Sequence, residues 1–183
     1  MAIPRFRAAD TALLVVDVQE KLLPHIHEHE RVTGQVGRLI DIAKVLEIPI
    51  LVTEQYRKGL GVTVEPLAGS LADAVGNFEK TAFSACVEPV RDQLARRAVR
   101  SVLVCGIEAH VCVLQTCLDL ADRGYVTGLV TDAIGSRRSG DREAAIQRLI
   151  QAGAVPTTVE SVALEMAANA DSAEFKAILP IIK

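Results

Sequence analysis

Five apolar segments, residues 11–18, 49–53, 99–105, 126–131 and 154–158, recur along the chain with helix-like stretches between them. Runs such as Leu13-Leu14-Val15-Val16 and Val102-Leu103-Val104-Cys105 are apolar at every position rather than at every second one. A strand of that kind is buried on both faces, so helices must cover both sides of its sheet. Strands joined in this way form right-handed crossovers. The expected fold is therefore α/β, a three-layer, Rossmann-like α/β/α arrangement around a mainly parallel sheet. A short additional strand near residues 77–80 makes the sheet six-stranded. Helices are expected over residues 31–46, 111–123 and 140–152, with Gly124 and Gly153 as stops; Leu114, Cys117, Leu118 and Ala121 fall at helical spacing in the second. Residues 161–183 read as two helical segments split near Ala170-Asp171-Ser172, the first able to cover the sheet. Residues 55–69 are the one long irregular connection, and such loops often shape sites.

A chain of 183 residues encloses one ordinary core, so a single domain over residues 1–183 is expected. Half of the residues are hydrophobic, Trp is absent and there are only four Phe and two Tyr, which leaves an aliphatic core suited to a parallel sheet. The net charge of -3 and the lack of a Lys/Arg cluster argue against nucleic acid and for a small-molecule substrate. No apolar run approaches the roughly 20 residues of a membrane span, and residues 1–10 carry no signal-peptide core. No membrane partner and a cytoplasmic location are expected. The four cysteines, Cys86, Cys105, Cys112 and Cys117, lack zinc-finger spacing and are expected as free thiols.

Gly106-Ile107-Glu108-Ala109-His110-Val111-Cys112-Val113 follows a strand and opens a helix. A cysteine among unpaired helix N-terminal amides is expected to favour thiolate, and the same amides can hold an oxyanion. Asp17, Lys80 and Cys112 each stand at the carboxyl end of an expected strand, where open parallel sheets bind ligands. Taken singly, Asp17 caps a turn, Lys80 is a solvated surface lysine, and Cys112 is a small buried hydrophobe, as Cys86, Cys105 and Cys117 are expected to be. Taken together, a buried carboxylate next to a lysine and a thiol makes a reactive group. Gln19, Tyr56, Phe83 and His110 are candidates for the substrate pocket, with packing as the alternative. For His110, capping the helix or meeting a neighbouring subunit is an equal alternative. Asp132 is assigned a structural role, bonding the amides of the loop to Ser136. Arg137-Arg138 reads as a solvated turn, or as an attractor of a carboxylate-bearing substrate or a partner chain. His25, His27 and His29 are spaced by two, which in a helix sends them to different faces and disfavours a shared metal.

Four motifs in order, Leu14-Val15-Val16-Asp17-Val18-Gln19, Lys80-Thr81-Ala82-Phe83-Ser84, the segment from Gly106 to Val113, and Thr131-Asp132-Ala133, resemble those of the isochorismatase-like cysteine hydrolase superfamily. The resemblance spans nearly the whole chain. Thr53-Glu54-Gln55-Tyr56 and Lys58-Gly59-Leu60-Gly61 are similar to the loop of its metal-independent branch, related to nicotinamidases and carbamoyl amidohydrolases. The resemblance implies Cys112 as nucleophile, Asp17 as general acid/base and Lys80 as the cation that orients the pair. It implies an oxyanion hole from the backbone of Glu108 and Cys112, with a cis peptide at Ile107-Glu108. It also implies a homo-oligomer, a dimer or larger. The Asp-x-His of metal-binding nicotinamidases is missing, so neither metal nor cofactor is expected. Cys112 itself disfavours vinyl ether hydrolysis of isochorismate, whose enzymes in this superfamily lack the cysteine. The expected activity is hydrolysis of a non-peptide C-N bond in a small amide through a thioester-type intermediate. The alternative is an oligomeric interaction or thiol redox-responsive protein without turnover.

Overall fold

A computed structural model describes residues 3–183, so the first two residues of the expected 1–183 unit lie outside the described residues. Six strands, β1 (Thr11–Val16), β2 (Ile50–Gln55), β3 (Gly76–Lys80), β4 (Ser101–Ile107), β5 (Val126–Gly135) and β6 (Val155–Thr157), pair entirely in parallel in the order β3-β2-β1-β4-β5-β6. The chain winds outward from β1 to β3, then returns to the other side of β1 to lay down β4. That reversal puts the topological switch point between β1 and β4, where side chains following the two strands meet in a crevice.

Two layers of helices cover the sheet because its strands are apolar on both faces. Leu13 and Val15 of β1 pack with α1 (His29–Val45), α7 (Val159–Ala167) and α8 (Ala173–Ile182). Ala12, Leu14 and Val16 point the other way, onto α4 (Glu88–Arg96), α5 (Leu114–Asp122) and α6 (Ser139–Gln151). The expected α/β/α sandwich and the split in the tail are both found. Residues 55–69 are less irregular than expected, holding two short helical turns, α2 (Arg57–Leu60) and α3 (Leu67–Ser70). Glu54 organises this segment. Its buried carboxylate accepts from the Thr63 N–H and Oγ1, each at 2.7 Å, and from Arg57 Nε.

Two other boundaries differ from the sequence expectation for identifiable reasons. Strand β1 stops at Val16 because Asp17 takes a left-handed conformation with φ 53°. Strand β5 runs on to Gly135 past a register shift opposite Val104 and Gly106, and Arg142 of α6 donates to the carbonyls of Thr131 and Ile134. The three histidines do not share a helix: His25 closes a 3₁₀ turn and only His29 lies in α1.

Gly106 allows β4 to press against β1 at the switch point. It has φ 111°, and a Cβ there would lie 2.1 Å from the Val16 carbonyl oxygen, a backbone atom with no side-chain freedom to retreat. Gly106→Ala is accordingly expected to cost about 3 kcal/mol or more, combining overpacking with an unfavourable positive φ. Urea denaturation of the purified variant measures this, and a midpoint equal to wild type would contradict the close approach.

Candidate active site

The site is assembled at the carboxyl ends of the central strands. Parallel pairing sets Val16 against Thr53 and Gln55 against Lys80, which brings the ends of β1, β2 and β3 level. Asp17, fully buried, is held on both carboxylate oxygens: Thr53 Oγ1 donates to Oδ1 at 2.8 Å and Lys80 Nζ to Oδ2 at 2.6 Å. The Asp17 N–H also donates to the Thr53 carbonyl at 3.1 Å, fixing the turn. Lys80 reaches across the end of β2, and both side chains of the ion pair are sealed from solvent. Its ammonium also donates to Gln55 Oε1 at 2.7 Å and to the carbonyls of Phe83 and Ala82 at 3.0 and 3.2 Å. A buried ammonium surrounded by acceptors in this way is satisfied and has little freedom to move.

Cys112 enters from the opposite side of the switch point. It lies within a π-helical turn, Ala109–Val113, which precedes α5 in place of the regular helix start expected from sequence. The Glu108 carbonyl accepts from the N–H groups of Val111 and Val113, which closes the turn. Thr116 Oγ1 donates to the Cys112 carbonyl at 2.6 Å and accepts from the Ala85 N–H at 2.8 Å, tying the Cys112 turn to the loop that wraps Lys80.

The electrostatics of Cys112 reverse the expectation that its surroundings favour thiolate. Burial pushes the thiol up to about 12, and the charge of Asp17 adds to the rise. The Lys80 ammonium and the Glu108 backbone N–H pull the other way without prevailing. At neutral pH the resting site is therefore a thiol beside a carboxylate–ammonium pair. Two consequences can be measured by iodoacetamide labelling of Cys112 with peptide mass spectrometry. Labelling of the wild type climbs with pH through the ordinary thiol value of 9.0 without levelling off. Asp17→Asn, which removes the raising charge and leaves Lys80, labels roughly tenfold faster at neutral pH. Slower labelling in Asp17→Asn would contradict the assignment of Asp17 as the group that holds the proton on sulfur.

The expected pocket residues are placed differently from one another. Tyr56 and Phe83 stand at the surface, 51% and 56% exposed, on segments whose backbone touches Lys80: the Tyr56 N–H donates to the Lys80 carbonyl, and the Phe83 carbonyl receives the Lys80 ammonium. Gln19 is fully buried and spends its amide on the loop, donating to the carbonyls of Gln55 and Gly61 and accepting from the Gln55 N–H. It supports the site rather than lining an open pocket. His110 pairs through Nδ1 with Ser136 Oγ at 3.0 Å. Arg137 does not form a merely solvated turn, since it grips the Glu108 carboxylate. Asp132 is structural as expected but with other partners, accepting from the Val159 N–H at the start of α7 and from Gln35 Nε2. Thr53, Gln55 and Thr116 escaped sequence reasoning as site residues. The only trace of the first two was their presence in a quoted motif.

Among the described residues, no group of three or more His, Cys, Asp or Glu side chains is arranged to hold a metal ion. No helix in that range is long and apolar enough to cross a membrane. The Ile107-Glu108 peptide is cis, as the resemblance implies.

Comparison with known proteins follows the same line. The isochorismatase domain family model matches residues 11–161. The chain belongs to the isochorismatase family. Membership of this family makes it a hydrolase. Among relatives, the Secreted isochorismatase effector Isc1 of Phytophthora sojae is 42% identical over 177 residues, 94% of this chain and 84% of that protein. Among isochorismatase-like structures, the MAR1 Ribonuclease from Caenorhabditis elegans superposes with a TM-score of 0.94 at 43% identity, covering 98% of this chain and 92% of that one. YcaC from Pseudomonas aeruginosa, solved with hexane-2,5-diol and covalent acrylamide, gives a TM-score of 0.91 at 26% identity over 99% and 93% of the two chains.

Proposed function

We propose that the protein is a cysteine-nucleophile hydrolase acting on a non-peptide C-N bond of a small amide. The observation that carries the reading is the fully buried Lys80–Asp17 ion pair, whose carboxylate charge acts on the Cys112 thiol. An isolated buried carboxylate is costly, and this one is placed where it can accept a proton from sulfur. As sulfur attacks the carbonyl carbon, the thiol proton passes to Asp17 and the carbonyl oxygen becomes negative. Collapse of that adduct breaks the C-N bond, and Asp17 returns the proton to the departing amine. Water, deprotonated by Asp17, then attacks the thioester; the acid leaves and the proton returns to Cys112. Lys80 holds the carboxylate oriented and balances its charge throughout. The amides of Glu108 and Cys112 are proposed to receive the oxyanion.

The covalent acrylamide on the 26%-identical YcaC supports a nucleophilic side chain in this family that accepts an amide-bearing electrophile. Tyr56, Phe83 and His110 are proposed as the residues a substrate meets at the mouth of the site, with no metal or cofactor taking part. Self-association belongs to the same proposal; sedimentation heavier than one chain supports it and a monomer opposes it. A panel of small amides and ureido compounds, read by release of ammonia or amine, tests the activity, with single-stranded RNA included because one relative is named a ribonuclease. Repeated turnover of an amide and intact RNA are the expected results. Modification of Cys112 once per chain without turnover favours a thiol-responsive protein instead.

A further inference from the structure

The grip of Arg137 on Glu108 stands out because the acidic residue adjoins the nucleophile turn and the basic one lies beyond the end of a neighbouring strand. Arg137 presents three donors to one carboxylate: its backbone N–H at 3.1 Å and Nε at 3.0 Å to Oε2, and Nη2 at 2.7 Å to Oε1. The Glu108 side chain is 8% exposed and that of Arg137 54%, so a buried carboxylate is held by a guanidinium that water can reach. The Glu108 carbonyl is already engaged by Val111 and Val113, and its N–H is a minor influence that lowers the pKa of the Cys112 thiol. The Glu108 carboxylate is the part fixed from a different segment, beyond the end of β5. A second tie, His110 to Ser136, joins the same two segments.

We infer that Arg137 is a positioning residue, holding Glu108 so that its backbone N–H meets the oxygen of the tetrahedral adduct formed on Cys112. The inference rests on the proposed nucleophilic role of Cys112. An oxyanion donor acts over a narrow range of geometry, and removing one costs on the order of 10²–10³-fold in rate. Arg137 is half-exposed, so water can take its place at the Glu108 carboxylate, and the His110 tie remains; loss of Arg137 therefore loosens the amide while the fold persists.

The test compares two reactions of Cys112 that differ in whether an oxygen must be stabilised. A small aliphatic aldehyde adds reversibly to the thiol: a C-S bond forms, the carbonyl π bond opens, and the thiol proton passes to the tetrahedral oxygen. Iodoacetamide alkylates the same sulfur by displacing iodide from a saturated carbon, with the thiol proton released to solvent and no oxyanion formed. Arg137→Met is expected to weaken aldehyde capture roughly tenfold or more while leaving the alkylation rate within about twofold. Arg137→Lys, which keeps the charge but loses the fork, is expected to fall between wild type and Arg137→Met. Equal aldehyde capture by wild type and Arg137→Met, or a parallel fall in both reactions, overturns the inference alone. Wild-type protein that captures no aldehyde on Cys112 overturns the nucleophilic reading and the inference with it.

Discussion

Cys112→Ala is expected to lower turnover of any small amide that the wild type hydrolyses by roughly four orders of magnitude or more, the scale seen when a nucleophile acting as part of a unit is removed. The protein should remain folded, since the change deletes one sulfur from a turn held by Glu108, Thr116 and the packing of Ala109 and Val113. With sulfur gone, the Asp17–Lys80 pair keeps its mutual contact and its bonds to Thr53, Gln55, Ala82 and Phe83. Binding of substrate should therefore survive better than its hydrolysis. Initial-rate assays with a matched circular dichroism spectrum measure both aspects. Activity within tenfold of wild type in a folded variant would remove Cys112 from the reaction.

Lys80→Met has the largest expected effect on stability. It strands the Asp17 carboxylate, fully buried and left with Thr53 as its other side-chain hydrogen-bond partner. It also leaves Gln55 Oε1 and the Ala82 and Phe83 carbonyls without their shared donor. Breaking one side of a buried pair costs about 3–5 kcal/mol, because the remaining charge stays desolvated. Removing both charges removes that cause, so the double variant Asp17→Asn/Lys80→Met should regain much of the loss while remaining inactive. Urea denaturation of the single and double variants reads the coupling. Additive losses in the double variant would mean that the two residues are not a unit.

The central strands were legible because Leu13-Leu14-Val15-Val16 and Val102-Leu103-Val104-Cys105 are apolar at every position and can only be buried on both faces. The short β3 was legible up to Lys80, whose burial at the end of an edge strand only tertiary structure explains: its partners come from the turn after β1, from β2 and from the following loop. The π turn had no readable signal, because the Val113-to-Glu108 bond that defines it leaves the apolar spacing of Val111, Cys112 and Leu114 much like that of an ordinary helix. The state of the Cys112 thiol was misjudged for a physical reason. Backbone amides at a helix start favour thiolate, but burial and the charge of the Asp17 carboxylate outweigh them. Arg137 and Glu108 lie 29 residues apart, a separation at which no local pattern announces a pair.

Rapid-quench analysis of a single turnover, following the mass of the peptide that carries Cys112, tests most directly whether sulfur forms the covalent intermediate. Amine should appear first, accompanied by a stoichiometric acyl mass on Cys112 that hydroxylamine removes and that decays as the product acid forms. Acid formed at the same rate as amine, with the Cys112 peptide unmodified at every time, would contradict nucleophilic catalysis by this residue.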